Sequence, residues 1–74
     1  MITYYNEAEK AIFVENCPHE FVRIFFDDIL IGEVPILPDH SGKLTNVEAV
    51  KAGDIILVKK YSPEIEEVIL TDKP

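Results

Sequence analysis

The chain predicts a mainly β domain, a small barrel or sandwich of about six short antiparallel strands with one short helical turn near 46–51. Three observations carry that expectation. The apolar residues come in short runs dominated by Val, Ile and Phe, which suit a pleated, packed surface. Pairs and small clusters of turn formers separate the runs at hairpin distances. The runs are apolar on both faces, and a short meander of such strands buries itself by curling into a barrel or by stacking as two sheets. All of this fits one domain over residues 1–74.

The first hairpin joins Ile2–Asn6 to Ala11–Glu15 through Glu7-Ala8-Glu9-Lys10, a four-residue loop of the kind built on a type I turn. This register sets Tyr4 against Phe13 and Tyr5 against Ile12. Asn16-Cys17-Pro18-His19 then breaks the sheet, since Pro18 cannot donate to a ladder. The stretch Phe21–Val34 is the most apolar of the chain. It reads as Phe21–Phe26, an Asp27-Asp28 turn and Ile29–Val34, pairing Phe26 with Ile29, Phe25 with Leu30 and Ile24 with Ile31. A helix from Pro18 to Gly32 competes for the same residues, but the β-branched and aromatic content favours strand. Val22, Ile24 and Phe26 line one face of this hairpin and Phe21 and Phe25 the other, so it needs cover on both sides.

Pro35 to Leu44 has no periodic pattern; two prolines and an Asp-His-Ser-Gly sequence predict a surface loop. Thr45-Asn46-Val47-Glu48 matches a capping box, with Gly53 as the stop, and Val47 and Val50 would face the core. An extended reading of this segment is close behind. The last hairpin joins Ile55–Tyr61 to Ile65–Leu70 across Ser62-Pro63-Glu64. Its expected register pairs Lys60 with Glu66, Lys59 with Glu67, Val58 with Val68, Leu57 with Ile69 and Ile56 with Leu70, buried near Asp54 and wet near the turn.

Composition narrows the function classes. Fourteen acidic residues against seven basic ones give a net charge of −7, which disfavours nucleic acid and anionic membrane as partners because both require a positive field. Cys17 is the single cysteine, so no internal disulfide framework exists and a reducing compartment fits. The N-terminal MITYYNEAEK has no basic region before an apolar run, and no apolar run reaches the ~18 residues of a membrane span. Cytoplasmic synthesis without a signal peptide or transmembrane segment is therefore expected, with incorporation into a particle as one outcome.

Four residues on two loops, Cys17, His19, Asp39 and His40, are the types that bind zinc or form a nucleophile with a base and an orienter. Their spacing matches no finger pattern, and loop histidines beside a small buried thiol account for them. Asp27-Asp28 could serve as a carboxylate pair, yet turn chemistry explains both residues. The three glycines stand alone, so no phosphate-cradling loop is present. Neither a catalytic site, a metal, a cofactor nor a small-molecule substrate is expected.

What rises above background is a surplus of large apolar residues. With 47% of 74 residues hydrophobic, a thin core cannot enclose them all unless the strands close completely. Tyr4, Tyr5, Phe21, Phe25 and Tyr61, with Asp39 and His40 on the loop, are the candidate interface residues. The expected function is a non-catalytic protein–protein interaction module. It would be a structural or accessory subunit of a larger assembly, a virion-like particle being one example, with a protein partner or a homo-oligomer as the counterpart. One alternative is a small acidic inhibitor occupying a basic nucleic-acid-binding surface of a partner, through Asp27, Asp28, Glu64, Glu66 and Glu67. A more remote one is a small metal-dependent enzyme using the Cys17 group.

Overall fold

The computed structural model describes residues 1–59 and 65–69. Seven short strands form two antiparallel sheets, and no described residue is helical. The strands are β1 (Ile2–Asn6), β2 (Ala11–Glu15), β3 (Phe21–Phe26), β4 (Ile29–Pro35), β5 (Gly42–Leu44), β6 (Ile55–Lys59) and β7 (Ile65–Ile69). One sheet has the order β1-β2-β5 and the other β4-β3-β6-β7. The chain is thus mainly β, with one strand more than the sequence pattern reveals and without the helical turn.

The first hairpin has the expected register, Tyr4 opposite Phe13 and Tyr5 opposite Ile12. Its loop closes through the Lys10 amide donating to the Glu7 carbonyl at 3.3 Å, and the Asn6 side chain accepts from the Glu9 amide at 3.0 Å. Asp27 and Asp28 both have positive φ, 50° and 63°, which is what a two-residue hairpin turn matched to strand twist requires. Phe21–Phe26 is therefore a strand and the competing helix is not formed.

Past the turn, Phe26 pairs with Ile29 and Phe25 with Leu30 as expected, but Ile24 lies opposite Gly32 rather than Ile31. A bulge absorbs Ile31. The glycine opposite Ile24 leaves room for Leu44 of β5: a Cβ at position 32 would sit 2.6 Å from the end of the Leu44 side chain, which would have to shift.

The other corrections share a cause, the preference of this chain for long-range pairing over local order. Gly42–Leu44, expected within a loop, is β5, and it pairs with β2 through Ile12–Leu44, Phe13–Lys43 and Val14–Gly42. Three residues are too few to show a period in sequence. The short helix near 46–51 is replaced by irregular chain, with Asn46 at φ 57° and the Val47 amide donating to the Lys10 carbonyl at 2.8 Å. One or two turns of isolated helix do not recover the cost of nucleation. Val47 and Val50 are nevertheless buried, as the amphipathic spacing implied.

The last hairpin is antiparallel but slipped by two residues. Leu57 lies opposite Glu67, Val58 opposite Glu66 and Lys59 opposite Ile65, so the Lys59–Glu67 pairing is not formed. A two-residue slip keeps every side chain on its face, so strand alternation does not distinguish the two registers, although the observed one sets Val58 and Leu57 opposite glutamates where apolar partners were expected. Exposed charge pairs worth ~0.2–1 kcal/mol are too weak to decide. The expected pairs of Lys60, Tyr61 and Leu70 fall outside the described residues, as does the Ser62-Pro63-Glu64 turn. The end near Asp54 is also less buried than expected: Ile56 is buried, whereas Ile55 and Ile69 are exposed.

A single apolar core draws on both sheets. Tyr5, Ile12 and Val14 come from one, Val22, Ile24, Val34, Ile56 and Val58 from the other, and Cys17, Val47 and Val50 from the connections. β3 and β6, joined by Ile24–Val58, carry the middle of it.

Candidate functional site

Strand alternation decides what the four-stranded sheet shows to solvent. On β3, Val22 and Ile24 point inward and are fully buried, which turns Phe21, Arg23 and Phe25 outward. On β6, buried Ile56 and Val58 leave Ile55, Leu57 and Lys59 on the outer side. The registers line these residues up in rows across the strands. Glu33, Arg23, Lys59 and Ile65 form one row; Leu30, Phe25, Leu57 and Glu67 form the next; Ile55 with Ile69 follows beyond it.

The middle row is apolar from Leu30 to Leu57, with Glu67 at its β7 end, and the exposed apolar residues continue into the next row. Leu30 is 52% exposed, Ile55 51% and Ile69 62%, while Phe25 and Leu57 are half-buried. A shallow depression of about 220 Å³ lies in this face, lined by Phe25, Asp28, Leu57 and Lys59. Arg23 lies opposite Lys59; its Nε is 3.1 Å from Glu33 Oε1 and its guanidinium lies 5.3 Å from the centre of the Phe21 ring. Exposed apolar residues thus lie side by side on this face, edged by charge.

The outer side of the three-stranded sheet is better covered. The Tyr4 and Phe13 rings stack with centroids 5.2 Å apart, Lys43 Nζ lies 5.7 Å from the centre of the Phe13 ring, and Tyr4 donates its hydroxyl to Glu15 Oε2 at 2.7 Å. That hydrogen bond to a carboxylate, followed by desolvation and the Glu15 charge, holds the Tyr4 phenol above its ordinary pKa of 10.0. A groove of about 310 Å³ runs past these rings to Leu37, Ser41 and Gly42.

The predicted interface residues therefore separate. Phe21 and Phe25 lie on the outer face of the four-stranded sheet and Tyr4 on that of the three-stranded sheet, all half-buried. Tyr5 is a core residue, 5% exposed, because its parity on β1 places it opposite Ile12. Tyr61 lies outside the described residues. Asp39 and His40 are exposed on a tight loop, where Ser41 donates its hydroxyl and amide to Asp39 Oδ1 at 2.7 and 3.1 Å. Those two bonds, the hydroxyl first, hold the Asp39 carboxyl below its usual range.

Cys17 is fully buried, and its amide donates to the His40 carbonyl at 2.9 Å, so the two loops do meet, through backbone. Asp39 orients Ser41, and no group of three or more His, Cys, Asp or Glu side chains able to hold a metal occurs among the described residues. Among those residues, too, no helix is long and apolar enough to cross a membrane.

Sequence reasoning missed Leu30, Ile55, Leu57 and Ile69 as surface residues. The available signal was the two-sided run Ile55-Ile56-Leu57-Val58, whose alternate members must face outward in any strand. Compared with known proteins, the chain matches no family model, no curated protein and no solved structure.

Proposed function

We propose that the two sheets stack as a small sandwich, and that the domain works by contact as a non-catalytic protein–protein interaction module. The surface that makes the contact is the outer face of the four-stranded sheet. The sandwich reading draws support from the shared core and from the close approach of β4 to β5, where a Cβ on Gly42 would lie 2.5 Å from the Pro35 carbonyl oxygen. The contact reading rests on one observation above all, the open apolar row Leu30–Phe25–Leu57 with Ile55 and Ile69 beside it. Burying a side chain of this size is worth roughly 1.5–3 kcal/mol, so a few of them sustain an interface. A structural or accessory subunit of a larger assembly is the role such a module would fill. The acidic-inhibitor reading gains less support: exposed Asp27 and Asp28 suit it, but Arg23 and Lys59 share the face and would meet a basic partner unfavourably.

A photo-crosslinking residue placed at position 30 tests this reading, with one at position 8, in the exposed β1–β2 turn, as the control. Discrete protein–protein adducts from position 30 and none from position 8 are expected. Equal yields from both positions, or none from position 30, would reject the sheet face as the contact surface.

A further inference from the structure

Resting on that reading, we propose that the partner of this face is an extended segment of another protein that carries an acidic, a large apolar and a basic side chain in line. The acidic group would sit over Lys59, the apolar one between Phe25 and Leu57, and the basic one beside Asp28.

The placement of charge around the depression carries the inference. Its apolar floor is Phe25 and Leu57, which face each other across β3 and β6. Lys59 follows Leu57 by two residues on β6, so it stands on the same face at one end of that floor. Asp28 lies in the turn that closes β3 onto β4, beyond Phe25 in the opposite direction. A cation and a carboxylate therefore mark the two ends of an apolar floor. Both are exposed, and among the described residues neither has an ion-pair partner. Arg23 differs: it shares the level of Lys59 but is already paired with Glu33 at 3.1 Å. The line from Lys59 to Asp28 runs over β6 and β3, and Glu67 stands opposite Leu57 on β7, to one side of it.

Spacing selects the form of the partner. Side chains on one face of a strand recur about every 7 Å. Lys59 and Leu57 are one such interval apart, and the Asp27-Asp28 turn begins one interval beyond Phe25. A segment laid along this line in extended conformation offers its alternate residues at the same period. An acid at i, a large apolar residue at i+2 and a base at i+4 then meet Lys59, the floor and Asp28 in turn. A wholly acidic or wholly basic segment would be attracted at one end and repelled at the other. Copies of a chain of net charge −7 repel one another, which assigns the segment to another protein.

Three synthetic peptides test this through the backbone amide NMR shifts of the protein. Each carries a central Phe in an uncharged Ser/Thr background. The residues two before and two after that Phe are Glu and Lys, Glu and Glu, or Lys and Lys. The Glu/Lys peptide is expected to shift the amides of Phe25 and Leu57 and to bind about fivefold or more tighter than the other two. In Lys59→Glu both ends of the floor are acidic, and the Lys/Lys peptide should become the preferred one. Asp28→Asn keeps a residue that tolerates the positive φ of this turn and should make the Glu/Lys and Glu/Glu peptides equivalent. Each variant is first checked for the parental circular dichroism and melting cooperativity. Equal binding of all three peptides overturns the proposal, as does a preference unchanged in Lys59→Glu or the absence of shifts at this face with every peptide. If position 30 still crosslinks to another protein, those results leave the contact-module reading standing and this proposal failed. A crosslink from position 30 only to further copies of this chain overturns the assignment to another protein. If there is neither crosslink nor shift, both readings fail.

Discussion

Thr3 is the residue at which this sequence departs from what its surroundings ask for. Its parity on β1 matches Tyr5, so it points inward, and its hydroxyl is buried with no hydrogen-bond partner among the described residues. Removing a buried hydroxyl that bonds to nothing while keeping its shape should stabilise the fold. Thr3→Val is expected to raise stability by on the order of 1 kcal/mol in chemical denaturation. A lower midpoint would mean that the hydroxyl has a partner. Tyr4, one residue along and on the other face, behaves oppositely. Its phenol is held above 10.0 by the bond to Glu15, so the folded state favours the neutral form. The stability this contributes is fully present below pH 10 and is lost as pH rises through the folded-state pKa. Tyr4→Phe should therefore lower stability at neutral pH and flatten its decline above pH 10. An unchanged alkaline slope would show that Tyr4 does not carry it.

At the scale of elements, legibility followed sequence separation. Hairpin one and the Asp27-Asp28 turn could be read because a local loop and two flanking runs fix each of them. β5 could not, since three residues take their structure from β2 and from the space left by Gly32. The β6–β7 register was misread because cross-strand pairs, charge with charge and apolar with apolar, were asked to decide between alignments that differ by two residues and so keep the same strand faces. Gly42 shows how tightly β5 is fitted against β4. A Cβ there would lie 2.5 Å from the Pro35 carbonyl oxygen and 2.7 Å from Val34 Cγ1. Backbone cannot move aside as a side-chain end can, so Gly42→Ala is expected to cost about 1–3 kcal/mol through forced separation of the two strands. Equilibrium unfolding measures it, and a loss within a few tenths would mean that β4 and β5 are free to separate. The slipped register has its own test. Nuclear Overhauser contacts between the backbones of Val58 and Glu66 are expected, and contacts between Val58 and Val68 in their place would restore the alignment read from the charges.

For the whole molecule, the sequence made the surplus of apolar surface legible but not its location. Two-sided strands announced that some face would stay open unless the strands closed completely. Which face depended on β3 pairing with β6, a contact between residues more than thirty positions apart that no local pattern encodes. The same pairing moved the candidate surface from the tyrosines to Leu30, Leu57, Ile55 and Ile69 and returned Tyr5 to the core. It also bears on cooperativity. The two sheets share no described ladder, so only the common core and the connections between them couple their stabilities. Ile24 is fully buried in the middle of that core and belongs to the four-stranded sheet. Ile24→Ala should cost about 2–5 kcal/mol, a large part of the stability of so small a domain. If the core couples the sheets, native-state hydrogen exchange in this variant will accelerate at the most protected amides of both. The loss of protection at Ile12 and Val14 should then equal that at Ile56 and Val58. Were the three-stranded sheet to keep its protection while β3 and β6 lost theirs, the sheets would be separate folding units. In that case the outer face of the four-stranded sheet could not be held rigid enough to serve as a contact surface.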